Sequence, residues 1–376
     1  MIRTKKVEKL SDKLSITKNA LDRIKKHQEI ADKYDLNIDQ ILDLSLGDNL
    51  FVPPSHIQNI ITNTIQSIDP RESYPINYNS FIEEISRFAG VKTPTLYPGI
   101  THTQLLQRII SISTKSNDSI ILITPDKGVY DVIARNQKLN IQKVSLKDNF
   151  ELDVNLTLEV RKETSSKAIV FSSPHYPTAN QFDESNVLSL VKELEIPVIV
   201  DESYVEFGKY SLLNQVQYHD NLTVIRSFSK AWGLGSTSFA YLASDPKYIN
   251  LLKEKFLIEE IPPIHILATK HILQAPYKFV ELINNFIVER KRVIEHLRLL
   301  NGLKVFRSDT NFLFIKYKNE IRELYEQLCS KGIIVKTFDK HHTFKDREKS
   351  FLVTLGDATT NDRFIVAIIE ALETMA

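Results

Sequence analysis

An α/β fold, with a mostly parallel sheet covered by helices and a smaller α+β unit behind it, is what this sequence predicts. Three observations carry that expectation. From about residue 80, short β-branched apolar runs alternate with stretches of helical spacing; residues 263 to 300 then read as helices; and the remainder repeats strand and helix. Apolar strands separated by helices belong to parallel sheets buried on both faces.

The segment KNALDRIKKHQEIADKYDL (18–36) has helical spacing and mixed charge, which predicts an amphipathic helix lying across another element. The predicted strands are SIILITP (119–125), IQKVSL (141–146), KAIVFSSP (167–174), IPVIVDES (196–203), LTVIRSFS (222–229) and STSFAYLAS (236–244). After the helical stretch come LKVFRSDTNFLFIKY, IRELYEQLCSKGIIVK, SFLVTLGD and NDRFIVAIIEALETM, in strand, helix, strand, helix order. The expected organisation is an N-terminal segment and helix over 1–45 that joins the smaller domain, a large domain over 46–285, and a small C-terminal domain over 286–376.

Composition narrows the function classes. In 376 residues, 48 Lys and Arg face 47 Asp and Glu, a net charge of +1, so no global field points to nucleic acid or to an anionic membrane. Cys329 is the sole cysteine, which excludes an intrachain disulfide and a Cys-rich metal site and fits a reducing, cytoplasmic setting. Residues 1–33 carry no apolar core of signal-peptide length, and no later run approaches the ~18 apolar residues of a membrane span. No metal is expected. His341 and His342 are adjacent in a charged loop without metal-ligand spacing.

Ligands of open α/β sheets sit beyond the carboxyl ends of the strands. There the chain places Asp201, Ser173 with Pro174, and the group Ser227, Ser229 and Lys230. An isolated Lys and Asp at two strand ends suit a structural ion pair, and serines near a helix start suit caps. The surrounding constellation supports a binding site instead. SSPHYPTAN, VIVDESYVEF, SFSKAWGLG, DTNFLF and GIIVK, in that order, resemble the pyridoxal-phosphate (PLP) aminotransferases of the aspartate-aminotransferase fold, the fold type I transferases. The likeness is greatest to the histidinol-phosphate aminotransferase branch. ILDLSLGDNLFVPPSHI resembles that branch's Asn-Glu-Asn-Pro segment and SYPINYNSFIEEISRFAGV its Tyr-Pro approach to the first large-domain helix, so the likeness runs from about 42 to 372.

The resemblance implies a seven-stranded sheet, PLP as cofactor, and a role for each matched residue. Lys230 would hold the cofactor covalently and later move the substrate's Cα proton. Asp201 would pair with the pyridine nitrogen, and Tyr204 would bond the 3-oxygen with Tyr176 beside it. Ile100, Thr101, Ser227 and Ser229 would meet the phosphate, together with Tyr74 from the partner subunit of a homodimer. Lys127 stands at the ring-stacking position. Asn49, Asn311 and Lys336 would contact substrate.

Four positions depart from the family pattern. Ser238 replaces an arginine that clamps the phosphate, a contact worth roughly 2–5 kcal/mol where desolvated. Tyr176 replaces an asparagine, and Lys127 an aromatic that stacks on the ring. Leu352, in FLVT, replaces the arginine whose planar fork grips the substrate's acid group. Arg347 and Lys349 lie just upstream and read as solvated cations. The expected activity is transfer of an amino group between an amine or amino acid and a 2-oxo acid. The alternatives are decarboxylation of an amino-acid phosphate, or a non-catalytic protein that keeps the fold. A nucleotide-binding protein fares worse, because no Gly-x-Gly-x-x-Gly or Gly-Lys-Ser/Thr loop follows a strand.

Overall fold

A computed structural model describes residues 18–69, 71, 77–126, 128–256, 261–338 and 344–375; Tyr74, Lys127, His341 and His342 lie outside them. A two-residue strand, β1 (Leu42–Asp43), precedes a seven-stranded sheet. Its strands are β2 (Leu96–Gly99), β3 (Ser119–Thr124), β4 (Asn140–Ser145), β5 (Ala168–Ser172), β6 (Val198–Asp201), β7 (Leu222–Ser227) and β8 (Ala240–Ala243), in the spatial order β2-β8-β7-β6-β5-β3-β4. Strands β4, β3, β5, β6 and β7 pair in parallel, and β8 runs antiparallel between β7 and β2.

Strand β2 is one that the sequence reading passed over. LYPG holds a proline, which a sheet tolerates at its margin because the missing N–H can face outward, and β2 is an edge strand.

Alternation along the strands explains the layering. Ile121, Ile123, Ile169, Phe171, Val198, Val200 and Val224 enter one core, while Ile120, Leu122, Val170, Ile199, Ile225 and Leu242 enter a second on the opposite face. Both sets are buried, so the strands carry nearly continuous apolar runs.

The helices are α1 (Lys18–Tyr34), α2 (Pro54–Ser67), α3 (Tyr78–Ala89), α4 (His102–Ser113), α5 (Val129–Asn136), α6 (Val154–Thr164), α7 (Glu184–Glu193), α8 (Pro246–Lys255), α9 (Pro263–Gln274), α10 (Pro276–Arg298), α11 (Ile321–Ser330) and α12 (Ala358–Thr374). Helices α4, α5 and α8 supply the second core, while α7, α9 and α10 supply the first. Two prolines, Pro263 and Pro276, each stand at a first helical turn where a missing N–H costs no ladder bond.

The C-terminal strands form a second sheet, β12-β13-β10-β9, from β9 (Leu303–Val305), β10 (Phe312–Tyr317), β12 (Lys336–Thr337) and β13 (Ser350–Thr354), all antiparallel. Strand β11 (Ile333–Ile334) pairs in parallel with β1, which brings the N-terminal segment to the C-terminal unit. Helix α1 follows it: Arg23 and His27 contact Asp43 at 3.2 and 2.9 Å, and Lys33 with Tyr34 reaches Glu326 on α11. Beneath α1, Ile30, Cys329 and Ile334 form a small apolar cluster of their own.

Helix α10, 23 residues long, links the two sheets. Its buried Arg290 donates to the Thr310 carbonyl at 2.7 Å and the Phe207 carbonyl at 3.1 Å. Phe286 packs on Phe51 with centroids 4.5 Å apart and on Phe207 at 5.3 Å. No described helix is long and apolar enough to cross a membrane. Phe286→Ala opens a cavity where three segments meet and is expected to lower unfolding free energy by roughly 3–5 kcal/mol, read as a lower denaturant midpoint at unchanged slope.

Candidate active site

The site is built where β6 and β7 end. Asp201 is the last residue of β6 and is fully buried. Its Oδ1 accepts from the Ser203 N–H at 3.0 Å and from the Ser203 hydroxyl, and its Oδ2 accepts from the Tyr130 hydroxyl at 3.0 Å. Tyr130 lies on α5, buried, and its phenol is pushed well above the ordinary range by burial and then by Asp201. It therefore stays a proton donor to Asp201. The resemblance gives Tyr130 no role, since it does not fall at the ring-stacking position held by Lys127. The signal available is only its place in the first turn of α5, shortly after the end of β3.

Lys230 follows β7 in the turn beginning at Ser227. Its Nζ donates to the Gly47 carbonyl at 3.0 Å and lies 5.8 Å from the centre of the Tyr204 ring. Among the described residues no salt bridge joins it to Asp201, although the Asp201 charge acts on it. Burial lowers the Lys230 pKa, opposed by Asp48 and then Asp201. An amine so placed sheds its proton more readily than a solvated lysine and is a better nucleophile.

Gly47 is the common partner. Its φ is +65°, a conformation that favours glycine, and a Cβ there would stand 3.4 Å from the Tyr204 hydroxyl and 3.9 Å from Lys230 Nζ. Its N–H donates to Thr354 Oγ1 of β13 at 2.8 Å, and its carbonyl also accepts from Asn311 Nδ2 at 3.2 Å. Asn311 donates as well to the Asp48 carbonyl at 2.9 Å, leaving Asn311 Oδ1 buried without a partner among the described residues.

Asn49 has a different job from the expected substrate contact. Nδ2 donates to the Lys230 and Ala231 carbonyls at 2.8 and 3.1 Å, and Oδ1 accepts from the Phe51 and Val52 N–H groups at 3.3 and 2.9 Å. With two donors and two acceptors used, the amide has nothing left for substrate. It pins the lysine's backbone to the N-terminal segment.

Tyr204 and Tyr176 flank one ring, Phe312 of β10, at centroid distances of 5.4 and 5.5 Å, both edge-on. Burial and then Tyr204 raise the Tyr176 phenol, so it too remains protonated. Thr101 is the N-cap of α4, its hydroxyl accepting from the Gln104 N–H at 3.1 Å, while the Ile100 N–H donates to Gln104 Oε1 at 2.9 Å. Ser227 Oγ accepts from the Ser229 N–H at 3.1 Å. Ser238, at the missing-arginine position, has its carbonyl paired with His265 Nδ1 at 2.7 Å, beside a buried Thr237 hydroxyl without a described partner. Lys336 and Leu352 stand directly opposite each other on β12 and β13.

Matched with known proteins, residues 39–368 fit the model of the family described as aminotransferase class I and II. The chain belongs to that family. The histidinol-phosphate aminotransferase of Caldanaerobacter subterraneus subsp. tengcongensis is 24% identical over 339 residues, covering 89% of this chain and 94% of that one. Among solved structures, the histidinol-phosphate aminotransferase of Clostridium acetobutylicum superposes with a TM-score of 0.79 at 19% identity, over 89% of this chain and all of that one. That of Sinorhizobium meliloti, in complex with pyridoxal-5'-phosphate, does so at 0.80 and 15%, over 93% and 95%. The fold type, the enzyme class and the PLP cofactor expected from the sequence thus stand: this is a PLP-dependent aminotransferase-family enzyme. Its residues fit that group, with a strand-end carboxylate held by a tyrosine, a lysine of lowered pKa, and the unpartnered Asn311 oxygen beside it.

Behind the lysine turn lies a buried charge cluster. Arg226 of β7 donates to Glu206 at 2.7 Å and lies 3.7 Å from Glu202, and Trp232 Nε1 donates to the same Glu206 oxygen at 3.1 Å. Burial pushes the Glu202 carboxyl up to about 7, against Arg226, the Leu212 N–H and the Ser211 hydroxyl, which lower it. A raised carboxyl favours folding while protonated, so this stability is full below about 4.5 and is lost as pH rises through about 7. At roughly 1.4 kcal/mol per pKa unit it amounts to about 3 kcal/mol. Glu202→Gln should flatten that portion of a Tm-against-pH profile.

Proposed function

We propose that this enzyme moves an amino group between an amine or amino acid and a 2-oxo acid, with PLP held on Lys230. The observation that carries the reading is the Lys230 amine itself, lowered in pKa by burial and held on the Gly47 carbonyl beside the Tyr204 ring. Asp201, steadied by Tyr130 and Ser203, would pair with the pyridine nitrogen. Tyr204 and Tyr176 would donate to the 3-oxygen. Ile100 and Thr101 at the start of α4, with Ser227 and Ser229, would take the phosphate.

Bound PLP supplies an electron sink for the pair released at the substrate's Cα. The chain's own residues do the rest. Lys230, once its amine is free and neutral, takes the proton from Cα and holds it for return, because Asn49 fixes its backbone within reach. Asn311 Oδ1 can accept a hydrogen bond from a bound amine or hydroxyl. The name of the relatives makes histidinol phosphate a donor to assay, with Lys336 as the cation for its phosphate. A homodimer in the cytoplasm, with Tyr74 of one chain reaching the other's phosphate site, completes the reading.

After loading with PLP and dialysis, the wild type should keep the visible absorbance of lysine-bound cofactor and lose it on adding a donor. Lys230→Ala should keep none. Asp201→Asn should retain the cofactor and turn over by about 10²-fold less. A wild type that retains no cofactor band overturns the proposal.

Sedimentation should give twice the chain mass of 43.3 kDa, and Tyr74→Phe should weaken PLP retention without splitting the dimer. A monomer that binds PLP as tightly as expected would defeat the shared-site reading.

A further inference from the structure

A cavity of about 640 Å³ opens where the end of α10 and β9 face the turn after β4 and the approach to α7. That is the size of a small-molecule site, and such sites favour the seam between packed units. None of Lys230, Asp201 and Tyr204 lines it. Its two walls differ in charge. The small-sheet side presents Arg298, Lys304 and Arg307, and the main-sheet side presents Asp148, Glu151 and Asp183. Between them lies a floor of two rings, Phe150 and Phe306, with centroids 4.9 Å apart.

One pair across the cavity is already closed: Arg307 Nη2 donates to Glu151, whose other oxygen accepts from the Asp183 N–H at 3.1 Å. The other four charged side chains have no ion pair among the described residues. Lys304 lies over the Phe306 ring at 5.0 Å, and Arg298 reaches the Val305 carbonyl at 3.4 Å. Asp183 stands at the N-cap of α7 with no capping bond from its side chain, and Asp148 is exposed. The floor is pre-formed. Phe150 takes a φ of +64°, uncommon for an aromatic residue, and is kept there by the Lys147 N–H bond to the Glu151 carbonyl at 2.9 Å and by ring contacts to Phe306 and Phe314. Its carbonyl accepts from Asn180 Nδ2 at 2.9 Å. Asn180 Oδ1 accepts from the Thr178 hydroxyl at 2.6 Å, which accepts from His175 Nδ1 at 2.8 Å, one residue before Tyr176. A floor fixed in advance loses little freedom when a ligand settles on it.

An anion in this cavity meets attraction at one wall and repulsion at the other, and a cation meets the reverse. A molecule with both charges is favoured by both walls, its ammonium towards Asp148 and Asp183 and its carboxylate towards Arg298, whose fork suits that group, and Lys304. We infer that the cavity is a binding site, separate from the lysine site, for a zwitterionic α-amino acid whose aromatic side chain lies on Phe150 and Phe306. Bound there, it ties the small sheet to the main one. The bonds from Phe150 through Asn180 and Thr178 to His175 connect it with the turn that carries Tyr176.

Primary amines also exchange with a lysine-bound cofactor, so the probes are a tertiary amine, an amide and a tertiary amine, none of which does. N,N-dimethyl-L-phenylalanine carries both charges and the ring, N-acetyl-L-phenylalanine only the carboxylate, and N,N-dimethylphenethylamine only the ammonium. Calorimetric titration of the full chain should give the zwitterion a dissociation constant at least about fivefold below that of either other probe. Arg298→Glu should weaken the zwitterion and tighten the cationic probe, while Asp148→Lys should weaken the zwitterion and tighten the anionic one. Both positions are exposed, so the fold tolerates either reversal. Lys230→Ala should bind all three probes as the wild type does. A zwitterion that binds no better than the other probes, no binding up to about 10 mM, insensitivity to either charge reversal, or loss of binding in Lys230→Ala each overturns the inference.

Discussion

One peptide unit, at Gly47, is the constraint on which the site depends. Its N–H is bound by Thr354 from the small sheet, and its carbonyl is shared by Lys230 from the large sheet and Asn311 from the small one. The unit serves both sides by turning through a positive φ, a backbone conformation that glycine adopts without strain. Three stretches far apart in sequence are thereby held in register at the amine. The neighbouring Asn49 adds a second strap by binding the backbone on both sides of the same junction.

Around that unit the chain sorts its charges by depth. Asp201 has its carboxylate oxygens engaged by Ser203 and Tyr130, so it is rigidly aimed. Glu202, the next residue, points into a separate cluster with Arg226, whose other partner, Glu206, also receives Trp232. Adjacent carboxylates on one strand end thus serve opposite purposes: one faces the ligand side, and the other locks the turn that carries Lys230. Alternation along the strand separates them, since successive side chains leave opposite faces.

Much of this was legible in the sequence because it depends on local pattern. Apolar runs flanked by helical spacing gave six strands of the main sheet, and Asp201 and Lys230 stood out at the ends of those runs, while Tyr204 came from the resemblance alone. What escaped notice depended on distant contact. Strand β2 carries a proline and takes its place only because β8 turns antiparallel to meet it. Tyr130 finds Asp201 across 71 positions of chain, and no spacing rule reports such a pair. Asn49 was expected at the substrate from the resemblance of its segment to the family's Asn-Glu-Asn-Pro motif, whereas in the folded chain its amide bonds four backbone groups. Gly47 carries no signal in the sequence, since a positive φ and a shared carbonyl belong to the assembled site.

The small cluster of Ile30, Cys329 and Ile334 under α1 stands apart from the two main cores. Few apolar contacts hold it, and segments of that kind open with less free energy than the whole protein needs to unfold. Cys329 is the molecule's sole thiol, buried there, with a pKa raised chiefly by that burial. Its reaction with a thiol reagent therefore times how often the amino-terminal helix lifts off while the cofactor domain stays folded, a built-in clock that needs no engineered label.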